Sequence, residues 1–226
     1  MRPTRRTVVF GGAALGLAAP SLLRAAETAE RSFSVFRDGS DIGAQTTRVT
    51  GSGDRADVEI DVDLAVKILG ITAYRYTLRS RETWEKGRLM SLEGETDDDG
   101  DVSVAKVRRT SDGLVSEGTW EGELPGDAAT TTYWTQAFLE RPVWISTQTG
   151  APLDVSVSRD GEERIEGFSS EMLCERWRVR GDLPLTLYYD DRGEWMGNAF
   201  DASGEVARFR PTAETGRLAP LWPRRS

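Results

Sequence analysis

Between residues 56 and 68 the chain alternates in strict step. Ala56, Val58, Ile60, Val62, Leu64, Val66 and Ile68 are apolar, and the positions between them hold Asp57, Glu59, Asp61, Asp63, Ala65 and Lys67. A period of two belongs to a strand, because successive side chains leave opposite faces of a pleated backbone. One face is therefore buried and the other wet. Gly70 permits a reversal into a second long strand over 71–84, with Tyr74, Tyr76 and Leu78 on one face and Arg75, Thr77 and Arg79 on the other. Together the two segments predict an antiparallel hairpin.

The same grammar continues along the chain. Segments 32–37 and 44–50 flank a turn from Asp38 to Gly43, and 89–96 and 102–108 flank Asp97, Asp98, Asp99 and Gly100. Further strands are predicted at 114–120, 153–158 before Asp160-Gly161, 164–168, 173–180 before Gly181-Asp182, 185–189, 194–200 and 205–210. Short strands parted by Asp-Gly turns predict a meander. Only the interval 127–150 breaks the pattern. Within it, residues 132–140 suit two helical turns capped by a threonine, with Trp134 and Phe138 on one face and Pro142 as the stop. A wide sheet that curls must have its concave face covered, and this insert is the expected cover. The fold class expected is all-β: a strongly curved antiparallel meander, a half-barrel or open barrel, with one short helical insert near 132–140. A single domain over 27–226 is expected to hold it.

The first residues follow another logic. Arg2, Arg5 and Arg6, with Thr7 to Phe10, precede the apolar, small-residue run 11–23, and Arg24, Ala25 and Ala26 follow it. This is signal-peptide order, with cleavage expected near Ala26. The run is shorter than the roughly 20 apolar residues of a membrane-spanning helix, and Gly11, Gly12, Gly16 and Pro20 interrupt it. Arg5-Arg6 behind Thr4, with Val8, Val9 and Phe10 downstream, looks like a twin-arginine signal, with a general secretory signal as the alternative; by either route residues 1–26 are read as an export signal and the mature chain as periplasmic.

Composition removes most chemistries. The 226 residues include no His and one Cys. Ser-His-Asp and Cys-His catalysis, a His-ligated metal, a Cys-rich zinc site and an internal disulfide are thereby excluded. The lone Cys174 is expected to be buried. Removing the four arginines of the signal leaves 25 basic against 37 acidic residues, a balance that disfavours nucleic acid and anionic lipid surfaces.

Several stretches together resemble a known family. They are Phe33 to Gly43 (FSVFRDGSDIG), Tyr133-Trp134 with Phe138-Leu139, the Thr149-Gly150 turn, and Tyr188 to Gly197 (YYDDRGEWMG). These look like an exported bacterial family catalogued as a domain of unknown function, DUF6134, with Thr135 where an asparagine is expected. The resemblance implies a curved antiparallel sheet or half-barrel in the periplasm and supplies no reaction.

Candidate sites are few. Glu95 to Asp101 is acid-rich, as a calcium loop is, but Lys106 stands where a bidentate Glu belongs, so it reads as a solvated hairpin turn. Asp57, Glu59, Asp61 and Asp63 share one wet face opposite Arg75, Arg79 and Arg81, and read as solubilising charge. Asp190-Asp191 and Glu162-Glu163 carry no catalytic pattern. Catalytic residues, metal ligands and a cofactor are expected to be absent. Aromatics remain: Tyr74, Tyr76, Tyr133, Trp134, Phe138 and Trp177 are the candidate ligand contacts, beside Val58, Ile60, Val62, Leu64 and Leu78 on the concave face. The expected function is a non-catalytic periplasmic binding or carrier module for an apolar or lipid-like molecule. An envelope enzyme using carboxylates and an accessory protein docking a protein partner are the alternatives.

Overall fold

The computed structural model describes residues 25–68, 71–202 and 204–223. The expected export signal, apart from Ala25 and Ala26, lies outside the described residues, as does the Gly70 reversal. Fifteen strands make one sheet. In chain order they are β1 (Glu27–Arg37), β2 (Ser40–Ser52), β3 (Arg55–Ile68), β4 (Ile71–Glu85), β5 (Arg88–Asp98), β6 (Asp101–Arg109), β7 (Leu114–Glu117), β8 (Glu121–Leu124), β9 (Ala129–Thr130), β10 (Val143–Ile145), β11 (Pro152–Glu166), β12 (Glu171–Gly181), β13 (Leu185–Tyr189), β14 (Trp195–Ala202) and β15 (Glu205–Thr215).

The order across the sheet is β8-β7-β6-β5-β4-β3-β2-β1-β15-β14-β13-β12-β11-β10-β9. The chain therefore starts in the middle, meanders out to one edge and crosses to the other. It then returns until β15 pairs with β1, Glu30 against Thr215. The crossing consists of residues 125–128 alone, and five Cα steps reach at most about 17 Å. Two edges tied so closely must meet. The sheet is thus curled on itself with a seam between β8 and β9, and all strand pairs are antiparallel except β9 with β10.

Alternation sets the two faces. Ala56, Val58, Ile60, Val62 and Leu64 of β3 are buried inside, each of the larger ones contributing roughly 1.5–3 kcal/mol. Outside, Arg81 meets Glu59 at 3.3 Å, Arg79 meets Asp61 at 3.2 Å and Arg75 meets Asp63 at 3.0 Å. Exposed pairs of this kind add little stability one by one. They do oppose a slip in register, which would turn the aliphatic row outward and these carboxylates in. The two-residue turns Asp38-Gly39, Lys86-Gly87 and Asp99-Gly100 have positive φ at both positions, the turn whose twist matches a hairpin.

Three local expectations change. Asp160-Gly161 is a bulge inside one continuous β11, with the register shifting between Arg159 and Glu162, rather than a turn between two strands. The segment 114–120 is a strand only over 114–117, and residues 118–120 turn the chain into β8, which pairs with β7 as a hairpin. In place of two helical turns, the insert carries one 3-10 turn, Gln136–Phe138, capped by Thr135, whose hydroxyl accepts from the Ala137 N–H at 3.2 Å. The reason lies just upstream: Tyr133 has φ 56, and the extended Thr135 bridges to Glu194, so the backbone there is committed to sheet-like contacts.

A buried ion cluster fixes the C-terminal segment. Arg31, 1% exposed, donates to the Trp195 carbonyl at 2.7 Å beside Glu194 at 3.5 Å. Glu194 in turn accepts the N–H groups of Leu218 and Ala219 at 2.9 and 3.2 Å. Against this cluster, with the Arg31 guanidinium 3.5 Å from the Met196 sulfur and 5.6 Å from the centre of the Phe168 ring, Cys174, Tyr188 and Met196 form a small second core under Ile165, Phe168 and Met172. Burial there pushes the Cys174 thiol up to about 12, as suits an unreactive buried sulfur.

Candidate functional site

The interior has two unlike ends. At the end of the β2–β3 and β4–β5 turns, Trp84, Trp134, Phe138 and Trp222 interlock with ring centroids 5.0–6.2 Å apart. The Arg141 guanidinium lies 5.7 and 5.8 Å from the Trp84 and Trp222 rings while donating to the carbonyls of Gly87, Asp127 and Ala128. This end is full. Beside it sits Glu82, 2% exposed, whose Oε2 accepts from the Trp84 indole at 2.7 Å and whose Oε1 has no partner. Burial pushes its carboxyl up to about 7, against the pull of the indole and the Thr130 and Thr132 hydroxyls.

At the opposite end, where β1 turns into β2 and β12 into β13, and where β3 and β14 end, a cavity of about 900 Å³ opens. Val62, Leu64, Leu78, Leu185 and Phe209 supply its aliphatic and aromatic wall. The insert supplies Thr131, Tyr133, Thr147 and Gln148, with the two threonine hydroxyls 3.0 Å apart. Gln45 and Asn198, 8% and 4% exposed, add two amides. The Gln45 amide donates to the Thr47 hydroxyl at 3.2 Å, whereas the Asn198 Oδ1 has no partner. Leaving such an oxygen unpaired costs about 1–3 kcal/mol. Burial also pushes the Tyr76 hydroxyl up to about 12 and raises that of Tyr133, so both stay uncharged.

The model of a domain of unknown function, DUF6134, matches residues 33–212. The chain belongs to this family. Every DUF6134 residue that lines the cavity, from Val35 to Phe209, falls within the match, whereas Trp222 of the filled end falls beyond it. Among solved structures, this DUF6134 chain is similar to a crystal structure described as a β-barrel-like protein of a domain of unknown function, DUF1849, from Brucella abortus. The TM-score is 0.55 at 9% identity, over 83% of this chain and 97% of that one. At that identity the likeness speaks for the fold alone. No curated protein matches the sequence.

The DUF6134 fold sorts the six aromatic candidates into two groups. Tyr74, Tyr76 and Tyr133 border the cavity, with Tyr74 at the mouth, 36% exposed and hydrogen-bonded to Asp98. Trp134 and Phe138 do not reach it: both are fully buried in the filled end. Nor does Trp177, which packs on the core from β12 with its indole donating to Glu175 at 3.3 Å. Val58 and Ile60 are likewise core, below the cavity floor. Trp134 is held in the filled end by edge-on contacts with Phe138 and Trp222, at 6.2 and 5.5 Å between ring centroids. Sequence reading missed Gln45, Asn198, Thr131 and Thr147. Gln45 was accessible, since it stands opposite Val62 on the inward register of β2. The acid-rich turns are occupied by backbone: Asp97 accepts from Gly100 at 2.7 Å, and Asp190 from Arg192 and Glu194 at 2.9 and 2.8 Å. Among the described residues no helix is long and apolar enough to cross a membrane.

Proposed function

We propose that this DUF6134 chain is a non-catalytic binding or carrier module of the bacterial periplasm, and that it holds an apolar or lipid-like molecule in the cavity. The observation that carries the reading is the contrast between the two ends of one interior. Interlocked rings fill one, while the aliphatic wall of the other faces about 900 Å³ of open space. Apolar surface around a hollow forfeits contacts that an occupant would restore, and the volume falls among those of small-molecule sites, about 300–1,000 Å³. The periplasmic assignment rests on the signal order of residues 1–26.

The rival envelope enzyme would need two carboxyls in different environments at the cavity. Glu82 has the raised pKa such a role asks for, but it stands beside Trp84 and Thr132, off the cavity wall, whose own acids, Asp98 and Asp201, both lie on strands that end at its mouth. That position favours the carrier. The test is native mass spectrometry, with solvent extraction, of protein purified from the periplasm of its own host. An apolar molecule should ride with the chain and leave on extraction; preparations that are empty every time would remove the carrier reading.

A further inference from the structure

Of the eleven polar side chains that the described residues place on the cavity wall, eight are uncharged. Among the described residues its one cation is Arg37, whose Nε lies 3.1 Å from Glu205 and whose guanidinium also donates to the Ala202 carbonyl at 3.0–3.2 Å. Its two acids are Asp98 and Asp201, on strands that end at the mouth. A carboxylate or phosphate entering here would meet like charge and would find the Arg37 guanidinium already paired. Burying an unpaired anion is among the costliest things a protein interior can be asked to do. Fatty acids and anionic lipids are therefore poor occupants.

A plain hydrocarbon is also a poor match. Asn198 lies opposite Leu187 on β13, within an otherwise apolar run of wall, and is 96% withdrawn from solvent by its 4% exposure. Its Oδ1 is unpartnered, and the two ends of an amide can exchange places, so either a donor or an acceptor can face the cavity. A leucine at that position would pack against its neighbours without stranding a polar atom. An amide is of use there only if something hydrogen-bonds to it.

Resting on the carrier role proposed above, we infer that the cavity selects an uncharged amphiphile, whose hydroxyl or amide head is held inside against Asn198 and whose chain lies on the aliphatic wall. The test uses the full mature chain and N-phenyl-1-naphthylamine, an apolar fluorescent reporter, displaced by 1-decanol or by decanoate at about pH 8, where decanoate is ionised. Decanol should displace the reporter at a concentration at least roughly tenfold below that of decanoate. Asn198→Leu should keep the reporter and weaken decanol by roughly tenfold, the scale of one hydrogen bond. Equal or better displacement by decanoate overturns the inference while leaving the carrier reading intact. So does unchanged decanol affinity in a folded Asn198→Leu protein, which would assign the amide to water. Failure of the wild-type chain to bind the reporter at all removes the carrier reading and the inference with it. The wild-type comparison of alcohol with carboxylate decides the charge preference even if the variant does not fold.

Discussion

Tyr133 and Trp134 are adjacent, yet one borders the cavity and the other is sealed into the filled end with 0% exposure. Trp134→Ala should therefore cost about 3–5 kcal/mol of stability, read by chemical denaturation, while its folded fraction still binds the naphthylamine reporter. Tyr76→Ala, at the cavity wall, should do the reverse, lowering reporter affinity more than stability. A stable Trp134→Ala protein that no longer held the reporter would return the indole to the ligand site. Glu82 gives a pH signature. Its folded pKa of about 7 lies above the ordinary 4.5, so between those values the folded state binds more protons than the unfolded one. The contribution of Glu82 to stability is accordingly full below about pH 4.5, is lost as pH rises towards 7, and stays lost above it. The loss is on the order of 3 kcal/mol. Glu82→Gln should flatten that decline and raise the thermal midpoint at about pH 8 relative to wild type. A wild-type midpoint independent of pH across this window would mean that Glu82 is not the buried acid described.

The elements show how much chain pattern alone could reveal. Gly94 of β5 is where the insert presses closest: a Cβ there would lie 2.1 Å from the Thr147 carbonyl. Gly94→Ala should displace segment 146–150, lower stability by about 1–3 kcal/mol and weaken reporter binding, because Thr147 and Gln148 border the cavity. Thermal unfolding and titration would both stay at wild-type values if the insert did not lie against β5. Strands such as β3 were legible because one face is buried along their whole length, and a period of two then appears in the residues themselves. Turns such as Asp38-Gly39 were legible because positive φ at both positions demands those residue types. The insert was not. Its path is set by partners distant in sequence, Thr135 with Glu194, Thr147 with Gly94 and Tyr189 with the Tyr133 carbonyl at 2.7 Å, and no local spacing records them. For the same reason the aromatic composition of the site was visible but its division between wall and plug was not. Asn198 was hidden by a bulge: the register shift between Tyr188 and Tyr189 on the paired strand breaks the alternation that would have placed it inward.

At the scale of the molecule, the export proposed above and the seam each make a separate demand. Twin-arginine export carries a folded chain and requires both arginines, so Arg5→Lys with Arg6→Lys should leave the precursor in the cytoplasm; unchanged release of mature protein would point to the general secretory route. The seam concerns the folded body. β1, β2, β3 and β15 pair on both sides over long ladders, whereas β8 has four residues and one neighbour, and β9 two residues and one neighbour. The crossing between them is itself held, by Arg109 to the Gly126 carbonyl and Arg141 to those of Asp127 and Ala128. Opening should thus begin with the edge strands and not with the link that joins them. In hydrogen exchange, amides of 121–124 should exchange roughly tenfold or more faster than those of β2 and β3. Reporter binding should add protection around 71–78 and 198–209, which line the cavity, and leave the seam as fast as before. Protection that appeared instead at 121–130 would make the seam the route of entry, and the open end of the sheet would then be a closed one in solution.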